Sequence, residues 1–227
     1  MAHVLGDPTL EAFLTRLHEQ SEAQRSESKA YFAARALEAA PVAADDAGKK
    51  LFLNDKLVAL DSDKAQFCYQ LCRALGARRV VEAGTSLGVS TLYLAAAMRD
   101  NARLRGGHHV VIGTEYEAAK VRKARANFRS AGLEAFVDLR EGDLRETLRD
   151  TGGPVDFMLV DIWTRMAKPA LEIVAPHLSS GAIVVCDNTR ALREEYEYYF
   201  SFIADPRNRL RTMTLPFAGG LEFTVRE

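Results

Sequence analysis

The chain has 227 residues, about one and a half average domains, with 48% hydrophobic and 27% charged residues. Its 30 Lys and Arg against 31 Asp and Glu leave a net charge of -1. That balance excludes a protein whose main task is to hold nucleic acid, and equally a polybasic membrane-surface protein. No apolar run approaches the roughly 18–20 residues that span a bilayer. Residues 1–10 show no basic region followed by an apolar core, so no secretion signal is expected. Cys68, Cys72 and Cys186 are too few and odd in number for a disulfide framework, and a cytoplasmic location is expected. Cys68 and Cys72 sit one helical turn apart and read as a buried pair rather than as ligands of a soft metal.

Residues 9–40, rich in Ala, Glu, Gln and Arg, predict helix. The stretch 39–48, with Pro41 and Gly48, breaks that pattern and reads as a linker. A helix is predicted over 62–75, ending at Gly76. Alternation then begins. Strands are predicted at 78–83, 109–115, 136–140, 155–161 and 181–187. Between and after them come helices at 89–99, 117–131, 144–149, 167–178 and 196–204. Two last strands, 210–215 and 220–226, flank a possible hairpin at 216–219. Short apolar strands alternating with amphipathic helices imply βαβ units. The fold class is therefore α/β, a doubly wound, mostly parallel seven-stranded sheet with an antiparallel C-terminal edge and a helical N-terminal extension. Residues 1–60 form that extension and 61–227 the main domain.

Ligands of such sheets bind beyond the carboxyl ends of the strands, and here nearly every strand end carries an acid. The first strand runs into Glu82-Ala83-Gly84-Thr85-Ser86-Leu87-Gly88-Val89-Ser90. Gly84 and Gly88 bracket a tight turn into a helix N-terminus with free N–H groups. A dinucleotide site prefers G-x-G-x-x-G, whereas Ser86 stands where the middle glycine belongs. Glu82 would repel a pyrophosphate and attract a cation, such as a sulfonium that also carries an amino group. Glu115, at the second strand end, suits two ribose hydroxyls, or serves only as a helix N-terminal charge. Asp143 either accepts from an adenine amino group or caps the next helix. Asp161 and Asp187-Asn188 close two neighbouring strands; hard oxygens of that kind suit Mg²⁺ or Ca²⁺, or simply bond the following helices.

With these motifs in order, the chain resembles the class I S-adenosylmethionine (SAM)-dependent methyltransferases, and more narrowly the catechol O-methyltransferase-like small-molecule O-methyltransferases. The resemblance runs from about Asp61 onward. It is carried by residues 80–90, Glu115, Asp161-Ile162-Trp163, Cys186-Asp187-Asn188 and Gly220-Leu221-Glu222. It implies SAM as cofactor, with Glu82 and Ser90 holding the methionine end and Gly84 giving close approach beside Ser86. Glu115 would bind the ribose, with Asp143 and Trp163 at the adenine. Leu60, in the segment 60–66, and Asp161 complete the cofactor set. It also implies a divalent cation (Mg²⁺ or Ca²⁺) on Asp161, Asp187 and Asn188, with Glu222 at the substrate mouth.

The family's base lysine, three residues after the first metal aspartate, is here Thr164. Lys168, one turn on, is the substitute. The catalytic candidates are thus Asp161, Lys168 and Glu222. The implied partners are a small phenolic or catechol-like acceptor and a second copy in a homodimer, with neither nucleic acid nor membrane; residues 9–40 cover the acceptor or make the dimer contact. Two alternatives stay open. One is a metal-independent methyltransferase acting on another small-molecule oxygen or nitrogen. The other is a nicotinamide-dependent oxidoreductase, disfavoured by the missing glycine and the lack of a Tyr-x-x-x-Lys pair; a non-catalytic cofactor-binding protein is a third class, kept open by Thr164. His108 and His109 read as surface loop residues, and His18 and His177 as structural helix histidines. Tyr196, Tyr198, Tyr199, Phe200 and Phe202 divide between core and acceptor pocket. Arg122, Lys123, Arg125 and Arg129 read as one solvated helix face.

Overall fold

The computed structural model describes residues 4–37, 48, 52 and 56–227. The linker expected over 39–48 lies, Gly48 apart, outside the described residues. The elements in chain order are α1 (Pro8–Leu37), α2 (Ser62–Leu75), β1 (Arg79–Ala83), α3 (Val89–Arg105), β2 (Val110–Glu115), α4 (Ala118–Ser130) and β3 (Val137–Glu141). They continue with α5 (Leu144–Thr147), β4 (Val155–Val160), α6 (Thr164–Val174), β5 (Leu178–Asp187), α7 (Glu197–Ala204), β6 (Leu210–Leu215) and β7 (Leu221–Arg226).

The seven strands form one sheet in the order β3-β2-β1-β4-β5-β7-β6. The first five run parallel, and β7 is antiparallel to both β5 and β6. The expected doubly wound sheet with an antiparallel edge is what forms. Successive strand residues point to opposite faces, so β4 sends Phe157 and Leu159 to one core and Met158 and Val160 to the other. The first core is closed by α2, α3 and α4, the second by α6 and α7. Chain order reverses beside β1, with β2 and β3 on one side and β4 and β5 on the other. The carboxyl ends of β1 and β4 therefore open at the switch point where such sheets bind ligands.

Several boundaries differ from expectation. Helix α3 runs to Arg105 rather than stopping at 99, because its polar residues find tertiary partners. Arg99 pairs with Asp7 at 2.7 Å and Asp100 at 2.9 Å, and the Asn101 amide donates to the carbonyls of Cys72 and Ala77. Helix α6 starts earlier, at Thr164, and gives way to a 3₁₀ turn, Ala175–His177, around Pro176, since proline cannot continue the backbone ladder.

His109 is a correction. It is buried, with its ring nitrogens 3.0 and 3.1 Å from the carbonyl oxygens of Ala77 and Gly106, and so ties α2's end to β2; His108 is exposed. His18 does act structurally, bonded to the Tyr93 hydroxyl at 3.0 Å. Cys68 and Cys72 are a buried pair of free thiols, Arg122, Lys123, Arg125 and Arg129 are exposed along α4, and Tyr196 and Tyr199 are core while Tyr198 is exposed.

At the N-terminus, Asp7 accepts from the Leu10 amide at 3.1 Å and Pro8 opens α1, a sound helix start. About four turns along, Ser21 Oγ accepts from the Ala59 amide and Gln24 Oε1 from the Leu57 amide, at 3.2 and 2.8 Å. These bonds fasten α1 onto the segment that leads into α2. Among the described residues no helix is long and apolar enough to cross a membrane.

Candidate active site

The turn after β1 is held open by its own backbone and by buried hydroxyls. Gly84 has φ +98°, and a Cβ there would lie 2.1 Å from the Asp161 carbonyl oxygen, so β1 and β4 approach only because the side chain is absent. Gly88, with φ +83°, lies under the Phe128 ring in the same way. Glu82 is fully buried and accepts from Thr85 Oγ1 at 3.0 Å, Ser90 Oγ at 2.6 Å and Thr91 Oγ1. Burial raises its pKa above the ordinary glutamate value, and the three hydroxyls pull it part of the way back. Ser86 has a positive φ of 50° and a buried Oγ with no partner. Its amide donates to Glu115 Oε2 at 2.8 Å, while Glu115 Oε1 accepts from the Glu117 amide at 2.9 Å. Each of those carboxylate oxygens keeps a second lone pair.

Asp161, Asp187 and Asn188 meet in a cleft of about 350 Å³ lined also by Arg25, Leu60, Asp61 and Gly219. Burial and the charges on Asp187 and Glu82 raise the Asp161 pKa well above the carboxylate range; burial likewise raises Asp187, against the pull of Lys64 and Asn188. Into this cluster comes a residue that the sequence placed only within the cofactor-covering segment 60–66. Lys64, 1% exposed, sets its Nζ 2.7 Å from Asp187 Oδ1 and 3.1 Å from Asp61 Oδ2. Burial alone would lower its pKa, but Asp187 and Asp61 outweigh that and raise it. Arg25 of α1 reaches Asp61 at 3.0 Å. One signal was available: a lysine in the first turn of a helix opposes the macrodipole, which points to a carboxylate partner elsewhere.

Other expected residues lie further from this cluster. Asp143 caps α5 and forks onto Arg145, which holds its pKa at about 2. Trp163 stands half-exposed at the start of α6. Thr164 donates to Glu195 at 2.7 Å, and Lys168 donates to Glu172 at 2.6 Å, so the structure does not bring Lys168 to the rim acids. Glu222 lies 1% exposed within the sheet. It accepts from Thr212 at 2.5 Å, Thr214 at 2.6 Å and Thr189 at 3.5 Å. A larger hollow of about 560 Å³ lies away from the strand ends, against the start of α1, where Arg99 pairs with Asp7 and Asp100.

Residues 81–189 match the family described as a methyltransferase domain. Over those residues the chain is similar to methyltransferase domains. It is 30% identical over 151 residues to a catechol O-methyltransferase of Mycobacterium tuberculosis, covering 66% of this chain and 63% of that protein. It is 27% identical over 139 residues to a catechol O-methyltransferase of Niastella koreensis, covering 58% of each. The match thus spans less than two thirds of the length of either relative. Among solved structures, the Bacillus cereus O-methyltransferase in complex with SAH superposes with a TM-score of 0.64 at 20% identity, over 74% of this chain and 83% of that one. The Streptomyces achromogenes O-methyltransferase in complex with SAM gives 0.63 at 20% identity, over 74% and 81%.

The residues at these strand ends fit SAM: a turn free of side chain at Gly84, an unpartnered Ser86 hydroxyl, and acids on the rim. The divalent ion fits poorly. Asp187 Oδ1 is taken by the Lys64 ammonium, and its Oδ2 accepts from the Asn188 amide nitrogen at 2.9 Å. Among the described residues no group of three or more His, Cys, Asp or Glu is placed to hold a metal.

Proposed function

We propose that the chain is a SAM-dependent O-methyltransferase acting on a hydroxyl of a small, phenolic or catechol-like acceptor. The single observation that carries the reading is the acidic cleft at the carboxyl ends of β4 and β5, set beside the side-chain-free turn at Gly84. The names of the two curated relatives support the choice of acceptor.

SAM, when bound, supplies a methyl group already activated by the positive sulfonium. The chain's own residues then have to bind, orient and exclude water, because in-line displacement depends mainly on holding nucleophile and methyl close and aligned. Glu115 offers its free lone pairs to ribose hydroxyls, and Ser86 Oγ offers a hydroxyl beside it. Leu60 is buried against the cleft and keeps water from its inner wall. Trp163 presents a ring to the adenine. The Asp161 carboxylate accepts the hydroxyl proton of the acceptor as its oxygen takes the methyl group, and the raised pKa of Asp161 suits it to hold that proton. Helix α1, fastened to 56–60 and reaching Asp61 through Arg25, covers the acceptor side.

Titration calorimetry with SAM and with NAD, followed by incubation with a panel of phenols and catechols read by mass spectrometry, tests the reading. SAM binding and the gain of one methyl group are expected. Binding of NAD in place of SAM, or no methylated product from any acceptor, overturns it.

A further inference from the structure

Among the described residues, Lys64 is the one buried cation beside the cleft, and methyl transfer does not use it. Its position follows from the fold. Asp61 precedes the first residue of α2 and Lys64 lies three residues on, so both fall on one face of the helix start. Residue 187, 123 residues further along the chain, arrives at the same point from the end of β5.

The ammonium has three N–H donors. Two are committed, to Asp187 at 2.7 Å and to Asp61 at 3.1 Å. A divalent ion would have to sit nearer to Asp187 than the ammonium does, since Mg²⁺ and Ca²⁺ lie about 2.0–2.6 Å from their oxygens. On Oδ1 it would displace Lys64 or face its positive charge at close range. On Oδ2 it would meet the Asn188 amide, whose Nδ2 donates there at 2.9 Å.

Charge points the same way. Asp61 and Asp187 are matched by Lys64 and Arg25, and burial holds Asp161 back from ionising. A divalent ion would therefore leave an excess of positive charge beside a cationic cofactor.

We propose that Lys64 is the built-in cation of this site: it takes the place of a divalent ion on Asp187, closes the cluster to metal and holds Asp187 in position for a metal-independent transfer. Lys64 is a positioning residue, acting through Asp187. The inference rests on the reading of the cleft as the transfer site, but its test does not require turnover.

Mn²⁺ titration followed by electron paramagnetic resonance, on the whole chain, compares wild type with Asp187→Asn, Lys64→Met, Lys64→Arg and the double variant Lys64→Met/Asp187→Asn. Wild type and Lys64→Arg are expected to show no Asp187-dependent Mn²⁺. Lys64→Met is expected to gain Mn²⁺ affinity by at least about tenfold, as a freed carboxylate with neighbouring oxygens should, and the double variant to lose that gain. A folded Lys64→Met with no gain overturns the proposal, as does a wild type that binds one Mn²⁺ lost on Asp187→Asn. Should Lys64→Met not fold, the wild-type titration decides alone. SAM calorimetry on the same samples reports separately on the methyltransferase reading.

Discussion

Glu82 and Glu222 are both almost wholly shielded from water, and each is wrapped by three hydroxyl donors. Hydroxyls are good partners for a buried carboxylate because each brings a donor without a second full charge. Glu82 thereby braces the glycine turn from below, and the ligand-facing work passes to groups above it. The turn itself is the most sensitive point. Gly84→Ala would drive a methyl group into the Asp161 carbonyl at a φ that L residues rarely adopt. We expect it to weaken SAM binding at least about tenfold and to lower stability by about 1–3 kcal/mol, read by calorimetry and urea unfolding; unchanged affinity would remove Gly84 from the site. The acids at the strand ends were legible because their place follows from where each strand stops. Lys64 was not: its decisive partner is 123 residues away, and only the wrong charge for its helix position hinted at it.

Among elements, the strands were read more closely than the helices. An apolar run such as 155–160 leaves no choice of face, since both sides are covered. Helix ends depend on partners that the local sequence does not show, as Arg99 and Asn101 do for α3. The start of α1 is an exception, marked by Asp7 and Pro8, and it carries a pH signature. The Leu10 amide first, against some burial, and then Arg99 hold the Asp7 pKa below its ordinary value of 3.8. A depressed carboxylate contributes stability that is present above the unfolded pKa and is lost as pH falls through the folded one. Asp7→Ala should therefore destabilise the protein by about 1 kcal/mol at pH 7, and the difference from wild type should shrink as the pH is lowered past 3.8. Urea unfolding at pH 7 and in acid checks this; an equal deficit at both would assign the effect to something other than the charge.

For the whole molecule, a ligand that binds only the folded state stabilises all of it. SAM at a hundredfold excess over its dissociation constant should add about 2.7 kcal/mol and raise Tm by about 5–11 °C, with NAD giving no shift; scanning calorimetry reads both, and a null result with SAM would mean that the cleft does not take it. The α/β class and the order of elements were legible because alternation of period 2 and period 3.6 is a property of the sequence itself. Where β7 goes was not, since a hairpin signal fixes which strands are joined but not which of them meets β5.

That insertion of β7 between β5 and β6 has a consequence for how the protein is made. As the ribosome extends the chain, β6 emerges with no strand to pair with, because its neighbour in the sheet is β7, which follows it. It can join the sheet only through β7. Until β7 docks, the edge of β5 from Ile183 to Asp187 stays bare, and Gly219, which backs Asn188, is not yet in place. The nascent chain can thus complete its glycine turn early, while the acidic cleft is assembled only after β7 has been synthesised.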